Sequence, residues 1–167
     1  MKKTIITLMA LSVILWSAII PEAHSAGSAT WETVNYQPDS DANPRFRIYR
    51  CSWTSDAAGS VSSGTGVESK TVSGLLLEVN FKSVSGSVPS NLYDVEMLAV
   101  GGNNIFYDSV NDVNVGADIP SALNANGQRR TPYNKDGYFK SLHEEILTPS
   151  ITNAGNAKSG IIELIVW

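Results

Sequence analysis

The segment that most limits the fold runs from Thr71 to Lys82. Leu75, Leu77, Val79 and Phe81 recur at every second position, with Glu78, Asn80 and Lys82 between them. Successive side chains of a strand point to opposite faces, so the pattern predicts a sheet with one buried face. A helical period would scatter the same residues around a cylinder. Leu92 to Val100 repeats the rule, with Tyr93, Val95, Met97 and Ala99 against Asp94, Glu96 and Leu98. In Ile161–Trp167, Ile162, Leu164 and Val166 share one face, and Ile161, Glu163, Ile165 and Trp167 the other. Arg45–Trp53 places Arg47, Tyr49, Cys51 and Trp53 together. Tyr138–Thr152 is strand-like too, and Pro149 within it predicts an edge or a bulge.

The connections are rich in residues that favour turns. Ser55 to Gly66 is mostly Ser, Gly and Ala, and Gly101-Gly102-Asn103-Asn104 suits positive φ. Gly86 and Pro89 mark a turn region from Ser83 to Asn91. Asp108 to Gly137 is Asn-, Asp- and Gly-rich, which predicts an interaction loop with one helical turn near Ser121–Leu123. No segment beyond residue 25 reads as a helix of three turns. Short strands between regular turn signals predict an all-β fold, an antiparallel β-sandwich or jelly-roll-like single domain. The length, 167 residues, suits one domain.

The N-terminus reads as a targeting helix. Met1-Lys2-Lys3 is basic, and Thr4 to Ile20 is uncharged and apolar. Ala23-His24-Ser25 then places small residues for cleavage after Ser25. The expected organisation is a signal peptide over 1–25, a loose N-terminal arm over 26–44 with room for one short strand, and a sandwich over 45–167. The rival reading keeps residues 4–20 as an uncleaved membrane anchor, since the run is at the short limit for a span. Both predict an exported domain, in a periplasm, outside the cell or on a virion surface.

Composition narrows the function classes. Charged residues are 17% of the chain, below the roughly 25% of average soluble proteins. The net charge is -4 with no basic block, which argues against nucleic acid as a partner. The single cysteine, Cys51, excludes an intrachain disulfide and a Cys-based zinc site. It is expected to be a buried small hydrophobe.

Candidate chemistry is sparse. His143-Glu144-Glu145 is the one place where histidine meets acid, and a solvated strand edge accounts for it. Asp112, Asn114 and Asp118 lie within one short oxygen-rich loop, the kind of spacing by which calcium loops converge on a hard cation. An ordinary Asn/Asp turn is the competing reading, and calcium is the only cofactor the chain suggests. Arg129 and Arg130, with Tyr133, form a candidate interface anchor, because Arg and Tyr are enriched at interfaces. Trp31, Trp53 and Trp167 are candidate sugar platforms, against core packing for each. No nucleophile stands beside a base with an orienting acid, so no enzyme is expected. An outer-membrane barrel would put Glu163 on a lipid-facing side with Ile165 and Trp167, which is unfavourable.

Several stretches share the order of a known group. Ser73-Gly74-Leu75-Leu76-Leu77-Glu78-Val79 is followed by Pro89 and Asn91-Leu92-Tyr93-Asp94-Val95-Glu96-Met97. Ile151-Thr152-Asn153-Ala154-Gly155-Asn156-Ala157-Lys158-Ser159-Gly160-Ile161-Ile162-Glu163-Leu164 closes the chain. From Val72 to Trp167 the chain resembles small tailed-phage structural proteins with a closing T-N-A-G-x-A-K-S-G hairpin. The resemblance implies a β-sandwich that works by protein–protein contacts in a virion or exported surface structure. Its expected partners are other proteins or further copies of itself in a homo-oligomer. The alternative is an exported binding module for carbohydrate, assisted by calcium.

Overall fold

The computed structural model describes residues 26–36, 46–108, 113–121, 127–132 and 139–167. The expected signal segment therefore lies outside the described residues. The described chain is all-β. Its strands are β1 (Ser28–Tyr36), β2 (Phe46–Thr54), β3 (Lys70–Ser83), β4 (Asp94–Leu98), β5 (Tyr107–Asp108), β6 (Val113–Asn114), β7 (Gln128–Arg130), β8 (Lys140–Thr152) and β9 (Ser159–Val166). Hydrogen bonding follows the order β1-β2-β9-β3-β8-β4, with β7 also on β3 and a separate β5-β6 hairpin. All of these pairs are antiparallel.

Strand β8 turns this path into two layers. Lys140–Leu147 pairs with the start of β3, and Thr148–Thr152 pairs with β4. Pro149 sits just past the change of partner, opposite Met97. The ladder with β4 runs through Pro149 without a register shift, and the irregularity of β8 lies between Leu142 and Glu145, opposite Val72 and Gly74. Val61 bridges Ile151 on one flank of the second layer, and Ile119 bridges Tyr93 on the other.

The core lies between the layers. Tyr49, Cys51, Trp53, Val79, Phe81, Ile162 and Leu164 come from the first layer. Tyr93, Val95, Met97, Ile105, Phe106, Ile119 and Ile151 come from the second. Trp53 meets Tyr93 with ring centroids 5.6 Å apart, and Phe81 meets Phe106 edge-on at 6.0 Å. Such tilted and edge-on pairs suit the ring quadrupoles.

Two parts of the sequence reading change here. In β3 the buried apolar residues are Val72, Leu76, Val79 and Phe81, whereas Leu75 and Leu77 are only half-buried. The register shifts between Leu76 and Glu78 against β9, so the bulge at Leu77 reverses the parity of the strand. The expected arm over 26–44 contains a full edge strand, β1, paired along its length with β2. Its own signal is faint because, of the side chains described there, only Ala29 is buried, while Ser28, Trp31 and Val34 are half-buried.

The closing hairpin is held by Ser55. Its hydroxyl donates to the Gly155 carbonyl at 2.6 Å and accepts from the Lys158 N–H at 2.9 Å. Asn153, Gly155 and Ala157 take positive φ. Beyond the hairpin, a Cβ on Gly160 would stand 2.5 Å from the Trp53 ring. Gly160→Ala is therefore expected to destabilise the fold by about 1–3 kcal/mol, as overpacking against a rigid ring does. Gly64→Ala, whose Cβ would meet nothing closer than 3.9 Å, serves as the near-neutral control in urea unfolding.

Cys51 is fully buried, and burial, with the Glu68 charge adding to it, pushes its thiol up to about 12. The native protein is expected to resist a thiol-specific reagent at neutral pH and to react once unfolded. Rapid labelling of the native chain contradicts this.

Candidate functional site

Register places the notable groups in one line across the first layer. Glu32 stands opposite Arg50, Arg50 opposite Glu163, Glu163 opposite Asn80, and Asn80 opposite Arg129. Directly opposed residues share a face, so these five form a transverse row on the outside of the sheet. The row passes β1, β2, β9, β3 and β7 in turn.

Glu163 is the centre of the row and is 4% exposed. Its carboxylate accepts from Arg50 Nε at 3.0 Å and from Asn80 Nδ2 at 3.1 Å, and pairs with Lys82 Nζ at 2.7 Å. Burial alone would push this carboxyl up. The hydrogen bonds from Lys82 and Arg50 outweigh that and hold it below its ordinary value of 4.5. Arg50 is held above its usual range by its hydrogen bonds to Glu32 and Glu163.

An apolar strip lies beside the charged row. Val34 stands opposite Ile48, and Ile48 opposite Ile165, with Phe46 further along β2. All four are half-buried. Phe46, Ile48 and Ile165 line a shallow groove with Glu78 and Arg129. The outer face of the second layer is more polar, since Asp94, Glu96, Thr148, Ser150 and Thr152 occupy it beside the half-buried Leu98.

The paired arginines separate here, because neighbours on a strand face opposite ways. Arg129 is on the outside, 65% exposed, with its Nε 3.4 Å from Glu78. Arg130 points to the inner side over the Phe81 ring. It donates to the carbonyls of Val115 at 2.9 Å and Ala117 at 2.6 Å, and burial lowers its pKa. Arg130 thus clasps the two layers, and of the two arginines only Arg129 faces solvent. Tyr133 lies outside the described residues.

The oxygen-rich loop is committed to turns where it is described. Asn114 Oδ1 accepts from the Gly116 N–H at 2.9 Å. Asp118 has φ 51, and its N–H donates to Asp94 Oδ1 at 3.0 Å. Asp112 lies outside the described residues. Among the described residues no three His, Cys, Asp or Glu groups converge as a metal site.

A second concavity opens where β3, β8 and the end of β9 meet. Ser73, Gly74, Ser141, His143, Glu144 and Trp167 line it. Ser141 Oγ lies 3.2 Å from His143 Nε2, and the Glu144 N–H donates to Ser73 Oγ at 3.1 Å. Of the three candidate platforms, Trp53 is in the core, Trp31 is half-buried and donates its Nε1–H to the Glu68 carbonyl, and Trp167 is 63% exposed.

Comparison with protein-family models, curated proteins and solved structures finds no match.

Glu163 carries a pH prediction. Its carboxyl titrates lower in the folded chain than in the unfolded one, so its contribution is fully present above about 4.5 and lost as pH falls through the folded value. Glu163→Gln is expected to lower stability by about 2 kcal/mol at pH 7 and to flatten the acid limb below about pH 4.5. Denaturant midpoints from pH 7 to pH 2.5 check both.

Proposed function

We propose that the protein is a non-enzymatic structural or assembly component of a phage-like virion or an exported surface structure. The observation that carries this reading is the outer face of the first layer. Solvated sheet faces are ordinarily polar, as the second layer's is. Here Val34, Phe46, Ile48 and Ile165 form an apolar strip beside ion pairs at the middle of the sheet. An apolar centre with a charged rim is the anatomy of a protein interface. The neutralised Glu163 allows that face to approach another surface without burying a lone charge. The resemblance of Val72–Trp167 to phage structural proteins supports the same class.

The test is immunogold electron microscopy with particle fractionation in the native source. The reading expects ordered label on particles or on a surface structure. It expects Ile48→Glu to move the protein to the soluble fraction while its melting temperature stays within a few degrees. Diffuse soluble protein, with no particle or surface label, overturns it.

A second reading, an exported carbohydrate-binding module, draws on Trp167. An exposed indole in a cleft with His143, Glu144 and Ser141 suits stacking against a sugar ring with hydrogen bonds around it. Titration with a panel of oligosaccharides would quench or shift the tryptophan emission, and Trp167→Ala would abolish the response.

A further inference from the structure

We infer that the outer face of the first layer docks on the same face of a second copy of this chain, across a twofold axis running along β9. This rests on the assembly reading above and names its partner.

Five strands carry the row, and β9 is the middle one, with β1 and β2 on one side and β3 and β7 on the other. A twofold axis along the middle strand of two facing sheets lays β1 of one copy over β7 of the other, β2 over β3, and β9 over itself. The end residues of the row have opposite signs. Glu32 on β1 and Arg129 on β7 have side chains 55% and 65% exposed. The operation therefore brings each Glu32 to the partner's Arg129, twice per dimer. At the centre Ile165 meets its own symmetry mate, flanked by Ile48. The adjacent Glu163 carboxylates are each neutralised within their own copy by Arg50 and Lys82. Other pairings match less well. An axis perpendicular to the strands lays each strand over its own copy, and so sets Glu32 against Glu32 and Arg129 against Arg129.

The size of the patch sets the strength. Four strands about eight residues long and the short β7, about 4.8 Å apart, give roughly 550 Å² per copy, at the low end for a specific interface. The dimer is therefore expected to be concentration-dependent, with a dissociation constant in the micromolar range.

The test is sedimentation velocity on the full chain expressed in a bacterium, with the N-terminus of the recovered species read by intact mass. Wild type is expected to dimerise at about 100 µM. Glu32→Arg and Arg129→Glu each place like charges at both contacts and are expected to weaken the dimer by tenfold or more. Mixed in equal amounts, the two variants restore both pairs and are expected to form a heterodimer. Glu32→Gln and Arg129→Gln, which introduce no repulsion with Arg50 or Glu78, are expected to weaken it less. Circular dichroism melts confirm that each variant is folded. A wild type that stays monomeric at this concentration overturns the second-copy inference, while particle labelling would still uphold the assembly reading. A dimer indifferent to both reversals, or one that mixing fails to restore, also overturns it.

Discussion

One carboxylate on the solvent side of β9 organises the outer sheet. Glu163 takes hydrogen bonds from Arg50 and Asn80 and an ion pair from Lys82, so it joins β2, β9 and β3 through side chains as well as backbone. An unpaired charge at 4% exposure would be severely unfavourable. With its partners it remains ionised, and it tolerates apolar neighbours at Ile161 and Ile165. That balance is what lets the middle of a solvent-facing sheet be neither polar nor greasy.

The inner side of the same strands shows how the layers are joined. Trp53 and Phe81 reach Tyr93 and Phe106 across the core. Arg130 closes one margin by hydrogen bonding to carbonyls of the 115–118 segment. Ser55 and the 153–158 hairpin close another. The first layer is thus braced from behind, and its outer face is a rigid surface carried by strands. Function built on strands is held more firmly than function built on loops.

Much of this was legible in the sequence, because buried faces leave a period-two trace. Tyr49-Cys51-Trp53, Tyr93-Val95-Met97 and Ile162-Leu164-Val166 lie inward as their spacing predicts. The trace failed where backbone geometry breaks the period. A bulge at Leu77 makes Leu76, not Leu75 or Leu77, the core residue of β3. Edge strand β1 is longer than the one short strand that the arm suggested, and its trace is faint because one side of it faces solvent and the other is mostly small or polar. The candidate site was harder to read. The row from Glu32 to Arg129 joins residues far apart in the chain, and only sheet order aligns them. Arg129 and Arg130 look alike in sequence, and pairing with β3 alone decides which one faces out.

The central claim is that the outer face of the first layer is the working surface. Hydroxyl-radical footprinting of side chains, on dilute and on concentrated protein, tests it most directly. The account predicts that Phe46, Ile48 and Ile165 are oxidised in dilute protein and protected in concentrated protein. Val88 and Leu92, exposed elsewhere on the molecule, would react equally in both. Equal oxidation of Phe46, Ile48 and Ile165 at both concentrations, or protection that appears at Val88 and Leu92 instead, would contradict it.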